Sequence, residues 1–205
     1  MVTIKECGEK LVDIKIECLG ISTKNNRSIF VRKTIAEMLS KAQAILPKTY
    51  DFFVLEGWRS KERQEAFHKT YTKLFHDKHP DWSDSKIGKE VKKFVHPYKG
   101  KWASGHMTGA AVDVFLMKDG IGLNLNDDNL SFEGNASPYP VKLQKEVKKN
   151  RKILSDSLSK AGFCNSPNEY WHWSYGDIWH AKFGHKGHKE TAKYGIVACP
   201  SPSIN

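Results

Sequence analysis

The order of elements along this 205-residue sequence predicts an α+β fold in a single domain. Two observations carry that expectation. Short aromatic and β-branched runs read as strands, and they mix with apolar positions at helical spacing without a regular βαβ alternation. A hydrophobic content of 39% and a charged content of 27% fit a globular chain with its own core. The length suits one domain better than two, so residues 1–205 are read as one unit.

The elements follow in order. From Val31 to Leu46 the apolar residues Ile35, Met38, Leu39, Ala42 and Ile45 recur at helical spacing, and Pro47 stops the helix. Tyr50 to Glu56 is aromatic and β-branched, a strand that Gly57 ends. Ser60 is placed to cap a helix carrying Ala66, Phe67, Tyr71, Leu74 and Phe75. A further helix is expected over Ser85–Val95. Ala110 to Leu116 alternates, with Val112, Val114 and Leu116 on one side and Ala111, Asp113 and Phe115 on the other. Met117 to Pro138 is polar and reads as a long loop, of the kind that often serves as a lid. Tyr139 to Ala161 returns to helix with Gly162 beyond it, and Glu169 to Tyr175 is aromatic enough to be a strand.

Composition narrows the function. No apolar run approaches about 18 residues, so no membrane span is expected. Lys5, Glu6, Glu9, Lys10 and Asp13 interrupt the first twenty residues and leave no apolar centre for a secretory signal. The expected location is cytoplasmic, or periplasmic if a leader has been removed. The net charge of +10 suits an acidic partner, but Lys142, Lys145, Lys148, Lys149 and Lys152 are spread along a helix. They read as a solvated face, and no nucleic-acid partner is expected. Cys7, Cys18, Cys164 and Cys199 lack C-x-x-C spacing and are expected to be reduced thiols.

Two segments carry chemistry. Ser104-Gly-His106-Met-Thr-Gly109-Ala-Ala111-Val-Asp113 delivers an imidazole in a turn and a carboxylate on the following strand. Glu169-Tyr-Trp-His172 adds a carboxylate and an imidazole inside an aromatic run. Two neutral imidazoles with one carboxylate make a reasonable zinc set, and a carboxylate outside that set can take a proton from water. Taken singly, each of these residues has a local structural explanation. Five matched residue types at fixed spacing, however, arise by chance on the order of once per million windows. Other groupings are weaker. Asn126 to Asn129 lacks the Gly and Glu of a calcium loop, and His180, His185 and His188 lie among glycines. His68, His76, His79 and His96 lie on or beside basic helices and need no function.

The two segments resemble the D-alanyl-D-alanine dipeptidases and the wider family of peptidoglycan-cleaving zinc D,D-peptidases. That family shows Ser-x-His-x-x-Gly-x-Ala-x-Asp followed by Glu-x-Trp-His. The resemblance runs from about Val31 to Asp177 and implies a central antiparallel sheet flanked by helices, the hedgehog-like D,D-peptidase fold. It implies one zinc ion per chain held by His106, Asp113 and His172, with Glu169 as general base. Gly57-Trp58-Arg59 matches the family's Gly-Tyr-Arg, which makes Arg59 the group that polarises the scissile carbonyl. Ser104 matches a serine lining the substrate site.

The implied activity is hydrolysis of D-Ala-D-Ala. One alternative is a carboxypeptidase or endopeptidase acting on longer stem peptides. Another is a non-catalytic basic module binding wall polymer or nucleic acid. The dipeptidases hold the substrate's free amine with a tyrosine in Asp-Xaa-Arg-Tyr and an aspartate in Asp-Met-Gly-Thr. Residues Ile16 to Ser28 contain no such tyrosine, and Gly122-Leu-Asn-Leu-Asn126 stands in the second place. A looser requirement for a free amine is therefore expected. A straight strand would point Glu169 and His172 to opposite faces, so a bend between them is also expected.

Overall fold

The computed structural model describes residues 2–140, 142–184 and 191–198. Its first elements are β1 (Thr3–Ile4), β2 (Leu11–Asp13), a short helix α1 (Ile14–Glu17), β3 (Ser22–Thr23) and β4 (Phe30–Arg32). Helix α2 (Lys33–Ile45), strand β5 (Tyr50–Glu56), α3 (Lys61–Lys78) and α4 (Asp84–Phe94) follow. Then come β6 (Ala111–Lys118), β7 (Ile121–Gly122), α5 (Phe132–Ala136) and α6 (Lys145–Lys160). The last elements are β8 (Cys164–Asn165), β9 (His172–Ser174), α7 (Ile178–Phe183) and β10 (Thr191–Ala192).

The central sheet has the order β3-β5-β6-β9-β8, with β7 paired to β6. Its pairings are antiparallel except for the short parallel pair of β3 with β5. One face is the hydrophobic core. Phe52 and Val54 of β5, Val112, Val114 and Leu116 of β6 and Trp173 of β9 are at most 1% exposed there. Ile35 and Leu39 of α2 and Leu154 and Leu158 of α6 belong to the same cluster. Burying each such side chain contributes about 1.5–3 kcal/mol. On α3 and α4 a smaller cluster forms around Phe75, Ile87 and Val91.

Several boundaries differ from the sequence reading, each for a local reason. Val31 fits a helical period, but Phe30–Arg32 pairs with Leu11–Asp13, so α2 begins only at Lys33. The Asp127 carboxylate accepts the backbone N–H of Gln144 at 2.6 Å, and α6 starts at Lys145 instead of near Tyr139. The Met117–Pro138 segment is not a plain loop, since it contains β7 and α5. Arg151 pins it from α6 by donating to the carbonyls of Leu125, Ser137 and Asn135. Ser60 caps α3 as expected, its hydroxyl accepting from the Arg63 N–H at 3.2 Å.

Candidate metal centre

The site face of the sheet is set by register. Glu56 of β5 lies opposite Asp113 of β6, and Asp113 lies opposite His172 of β9. Side chains directly opposite one another leave the same face, so three neighbouring strands present a row of acid, acid and imidazole. Strict alternation along β5 would have put Glu56 on the core face with Phe52 and Val54. The register shift between Val54 and Glu56 turns it over.

His106 arrives from a 3₁₀ turn, Gly105–Thr108, just before β6. Gly109 closes that turn at φ 69°, and a Cβ there would lie 2.3 Å from Leu11 Cδ2, so glycine is required twice over. The Nδ1–H of His106 donates to the Gly57 carbonyl at 2.8 Å, which leaves Nε2 as the lone-pair nitrogen. His106 Nε2 lies 3.4 Å from Asp113 Oδ1, and His172 Nδ1 lies 3.1 Å from the same oxygen. The ligand atoms of His106, Asp113 and His172 all fall within 4.8 Å of one another, and all three residues are buried. Buried donors that converge on one point, with the tautomer of one fixed from behind, fit a small divalent cation.

The charges agree with that geometry. Burial alone would raise the Asp113 carboxyl, but His106 and His172 outweigh it and hold it well below the usual carboxylate range. Burial lowers the His106 ring. At His172 burial works downward too, yet the bond and charge of Asp113 prevail and raise it.

Glu169 precedes β9 in a turn closed by the His172 N–H donating to the Glu169 carbonyl at 3.2 Å. The expected strand over Glu169–Tyr175 is thus shortened to His172–Ser174, and the turn supplies the bend that brings both side chains to one cavity. Burial pushes the Glu169 carboxyl up to about 8, with Asp113 adding to the rise and His172 and Arg59 opposing it.

The cavity measures about 330 Å³ and is lined by Arg59, Ser104, His106, Asp113, Glu169 and His172 among others. All six residues singled out from the sequence therefore meet in one place. Arg59, 8% exposed, is held by Gln64 Oε1 at 2.8 Å and by Glu56 Oε2 at 3.5 Å, with its guanidinium over the Phe67 ring. Its Nε–H has no partner. Glu56 is itself gripped by Arg63 at 2.7 Å.

Glu56, Gln64, His96 and Asn126 also line the cavity, and sequence reasoning missed them. His96, read as needing no function, stacks on Trp179 at 4.0 Å and meets His172 edge-on at 6.1 Å. Burial, followed by the nearby His172 and His106, lowers its ring to about 3. Only spatial proximity reveals these residues, although Glu56 could have been suspected as a charge ending an apolar strand.

The weaker groupings fall elsewhere. Asp127 is spent on Asn129 and Gln144. His180 is buried beside Tyr175, while His185, His188 and Cys199 lie outside the described residues. Cys7, Cys18 and Cys164 are free thiols. Among the described residues no helix is long and apolar enough to cross a membrane.

Comparison with known proteins points to one family. A curated D-alanyl-D-alanine dipeptidase of Synechocystis sp. is 31% identical over 107 residues, 45% of this chain and 43% of that protein. The match thus spans less than half of that relative's length. The structure of VanYB in complex with D-alanine-D-alanine shares the fold at a TM-score of 0.52 and 17% identity. That likeness covers 89% of this chain and 86% of the other. The family model described as D-ala-D-ala dipeptidase matches residues 17–186, most of the chain, and the protein therefore belongs to that family.

Proposed function

We propose that the protein is a zinc-dependent peptidase that hydrolyses the D-Ala-D-Ala bond of cell-wall peptides. The observation that carries the reading is the convergence of His106, Asp113 and His172 on one buried point of a cavity that also holds Glu169 and Arg59. His106 through Nε2, Asp113 through its carboxylate and His172 through Nδ1 would hold the ion. A bound zinc ion supplies Lewis acidity and lowers the pKa of water.

The chain's own groups do the rest. Glu169 takes a proton from the attacking water and returns it to the leaving amine as the C–N bond breaks. Arg59, fixed by Glu56 and Gln64 in the cavity wall, steadies the carbonyl oxygen with its guanidinium as charge builds there. Ser104, 2% exposed, forms part of the wall where the substrate lies.

A broader substrate range than that of a strict dipeptidase is favoured by the acids of the cavity. Glu56 is paired to arginines, Asp113 belongs to the metal set, and Glu169 is the base. At the place of the family's amine-holding aspartate region stands Asn126, whose Oδ1 accepts from the Tyr170 hydroxyl at 3.2 Å. No uncommitted carboxylate among the described lining residues remains for a free amine, so acylated and longer stem peptides should also be accepted.

Elemental analysis of wild type, His106→Ala and His172→Ala tests the ligand set. One equivalent of zinc in the wild type and its loss from both variants is expected. Full zinc at unchanged affinity in both variants would overturn the assignment.

A further inference from the structure

Among the buried polar atoms without a hydrogen-bond partner are a nitrogen of one metal ligand and a carboxylate oxygen near it: Nε2 of His172 and Oδ2 of Asp177. Resting on the metal reading above, we propose that Asp177 is the positioning residue for the metal ligand His172. Its Oδ2 accepts the Nε2 proton of that ring through one buried water.

The argument starts from the ring. With Nδ1 facing Asp113 and committed to the ion, the proton of a neutral imidazole resides on Nε2. Left without an acceptor in the interior, that N–H would weaken the site it supports, and ligating histidines regularly donate this proton to a carboxylate, carbonyl or water.

Asp177 is in place to receive it. The residue is 0% exposed, and only one of its oxygens is used. Oδ1 accepts from the Ser174 hydroxyl at 3.1 Å and from the His180 N–H at 2.7 Å. Ser174 follows His172 by two residues on β9, so both side chains leave the same face of the sheet. The bond to Ser174 therefore brings the carboxylate onto the face that carries the metal set. Burial raises the Asp177 carboxyl, while His172 acts to lower it, and Asp177 in turn helps to raise the ring.

The two orphaned atoms do not touch directly, which calls for a bridge. A cavity of about 150 Å³ with room for water is lined by His172 and by Ser174, whose hydroxyl holds the other oxygen of Asp177; Asp177 itself does not line it. His96, which also borders that cavity, is already stacked on Trp179.

A second feature ties the same carboxylate to the other imidazole. A Cβ on Gly105 would lie 2.3 Å from Asp177 Oδ2, so the residue between Ser104 and His106 has to be glycine for the carboxylate to sit there. Asp177 is thus wedged between the turn that delivers His106 and the strand that delivers His172. Its removal should be felt as metal affinity before it is felt as fold.

The test compares wild type, Asp177→Asn and Ser174→Ala by chelator competition for zinc and by melting of the metal-free proteins. Asp177 caps α7 through the His180 N–H, and Asn caps a helix as well as Asp does, so metal-free Asp177→Asn should melt no lower than the wild type. Its amide cannot take the Nε2 proton as the carboxylate does, and zinc affinity should fall about 10–100-fold. Ser174→Ala, which frees the carboxylate to turn, should show a smaller loss in the same direction without removing the cap. Exchange of the His172 Nε2 proton with solvent, followed by NMR in the zinc-loaded proteins, should speed up in both variants. Zinc affinity within twofold of wild type in Asp177→Asn overturns the proposal, and so does unchanged affinity in Ser174→Ala if the Asn variant does not fold. A wild type that binds no zinc would instead overturn the metal reading itself.

Discussion

Glu169→Gln keeps the volume of the side chain and removes its capacity to take a proton. In the metal-free protein its carboxyl is raised from 4.5 to about 8, chiefly by burial. A carboxyl raised in this way contributes stability that is fully present below its unfolded pKa and is lost as pH rises through the folded value. Each unit of separation is worth about 1.4 kcal/mol, so by neutral pH, where the unfolded chain's carboxyl is ionised and the folded one still holds its proton, the metal-free fold has lost on the order of 3 kcal/mol. Gln does not titrate. Metal-free Glu169→Gln should therefore melt above the wild type at neutral pH, and the gap should shrink toward pH 4.5. Zinc should narrow it as well, because the cation favours the carboxylate. Turnover should move the other way, with kcat lower by about 10²–10⁴, or roughly 3–5 kcal/mol on the barrier. Thermal melts of chelated protein across pH and steady-state kcat of the zinc-loaded pair measure both effects. A gap independent of pH would refute the account of Glu169 burial. Near-normal turnover by the zinc-loaded variant would refute its role as base, and loss of zinc would make it a ligand.

The other expectations concern the cavity wall and its supports. Arg59→Lys removes the planar fork held by Glu56 and Gln64, and kcat should fall about 10²–10³ with zinc retained; unchanged kcat would free Arg59 of its role. N-acetylation of D-Ala-D-Ala should cost less than the roughly 1.5–3 kcal/mol of a charge-assisted hydrogen bond, read as the ratio of kcat/KM values, and complete rejection of the acetylated form would show that some group does hold the amine. Gly57→Ala places a Cβ 2.6 Å from Ile29 Cγ2 and 2.7 Å from the Phe30 carbonyl. It should destabilise by about 1–3 kcal/mol and weaken zinc binding, since the Gly57 carbonyl orients His106; equal stability and affinity would contradict that packing.

Local signals were legible where one residue type does one job. The strand Tyr50–Glu56, the Ser60 cap and the alternation of Val112, Val114 and Leu116 against Asp113 all follow from short-range pattern. The spacing of His106 and Asp113 was legible for the same reason, because a turn and one strand fix it. Boundaries failed where a distant partner decided them. Val31 is strand because Val12 lies beside it, and α6 starts late because Asp127 holds Gln144. The long segment after β6 reads as a loop because its polar residues look unpartnered in one dimension, whereas Arg151 binds its carbonyls from 14 to 26 residues on. Glu56 and His96 reached the site by a bulge and by the packing of α4, and no pattern within a window reports either.

The most direct measurement is release of D-alanine from D-Ala-D-Ala and from a stem pentapeptide ending in the same pair, followed by mass spectrometry. It should be run on protein stripped of metal and then titrated with zinc. The expected result is no release from the stripped protein, recovery that saturates at one equivalent of zinc, and cleavage of both substrates. Absence of release at full zinc occupancy, or release that does not depend on metal, would contradict the proposed function.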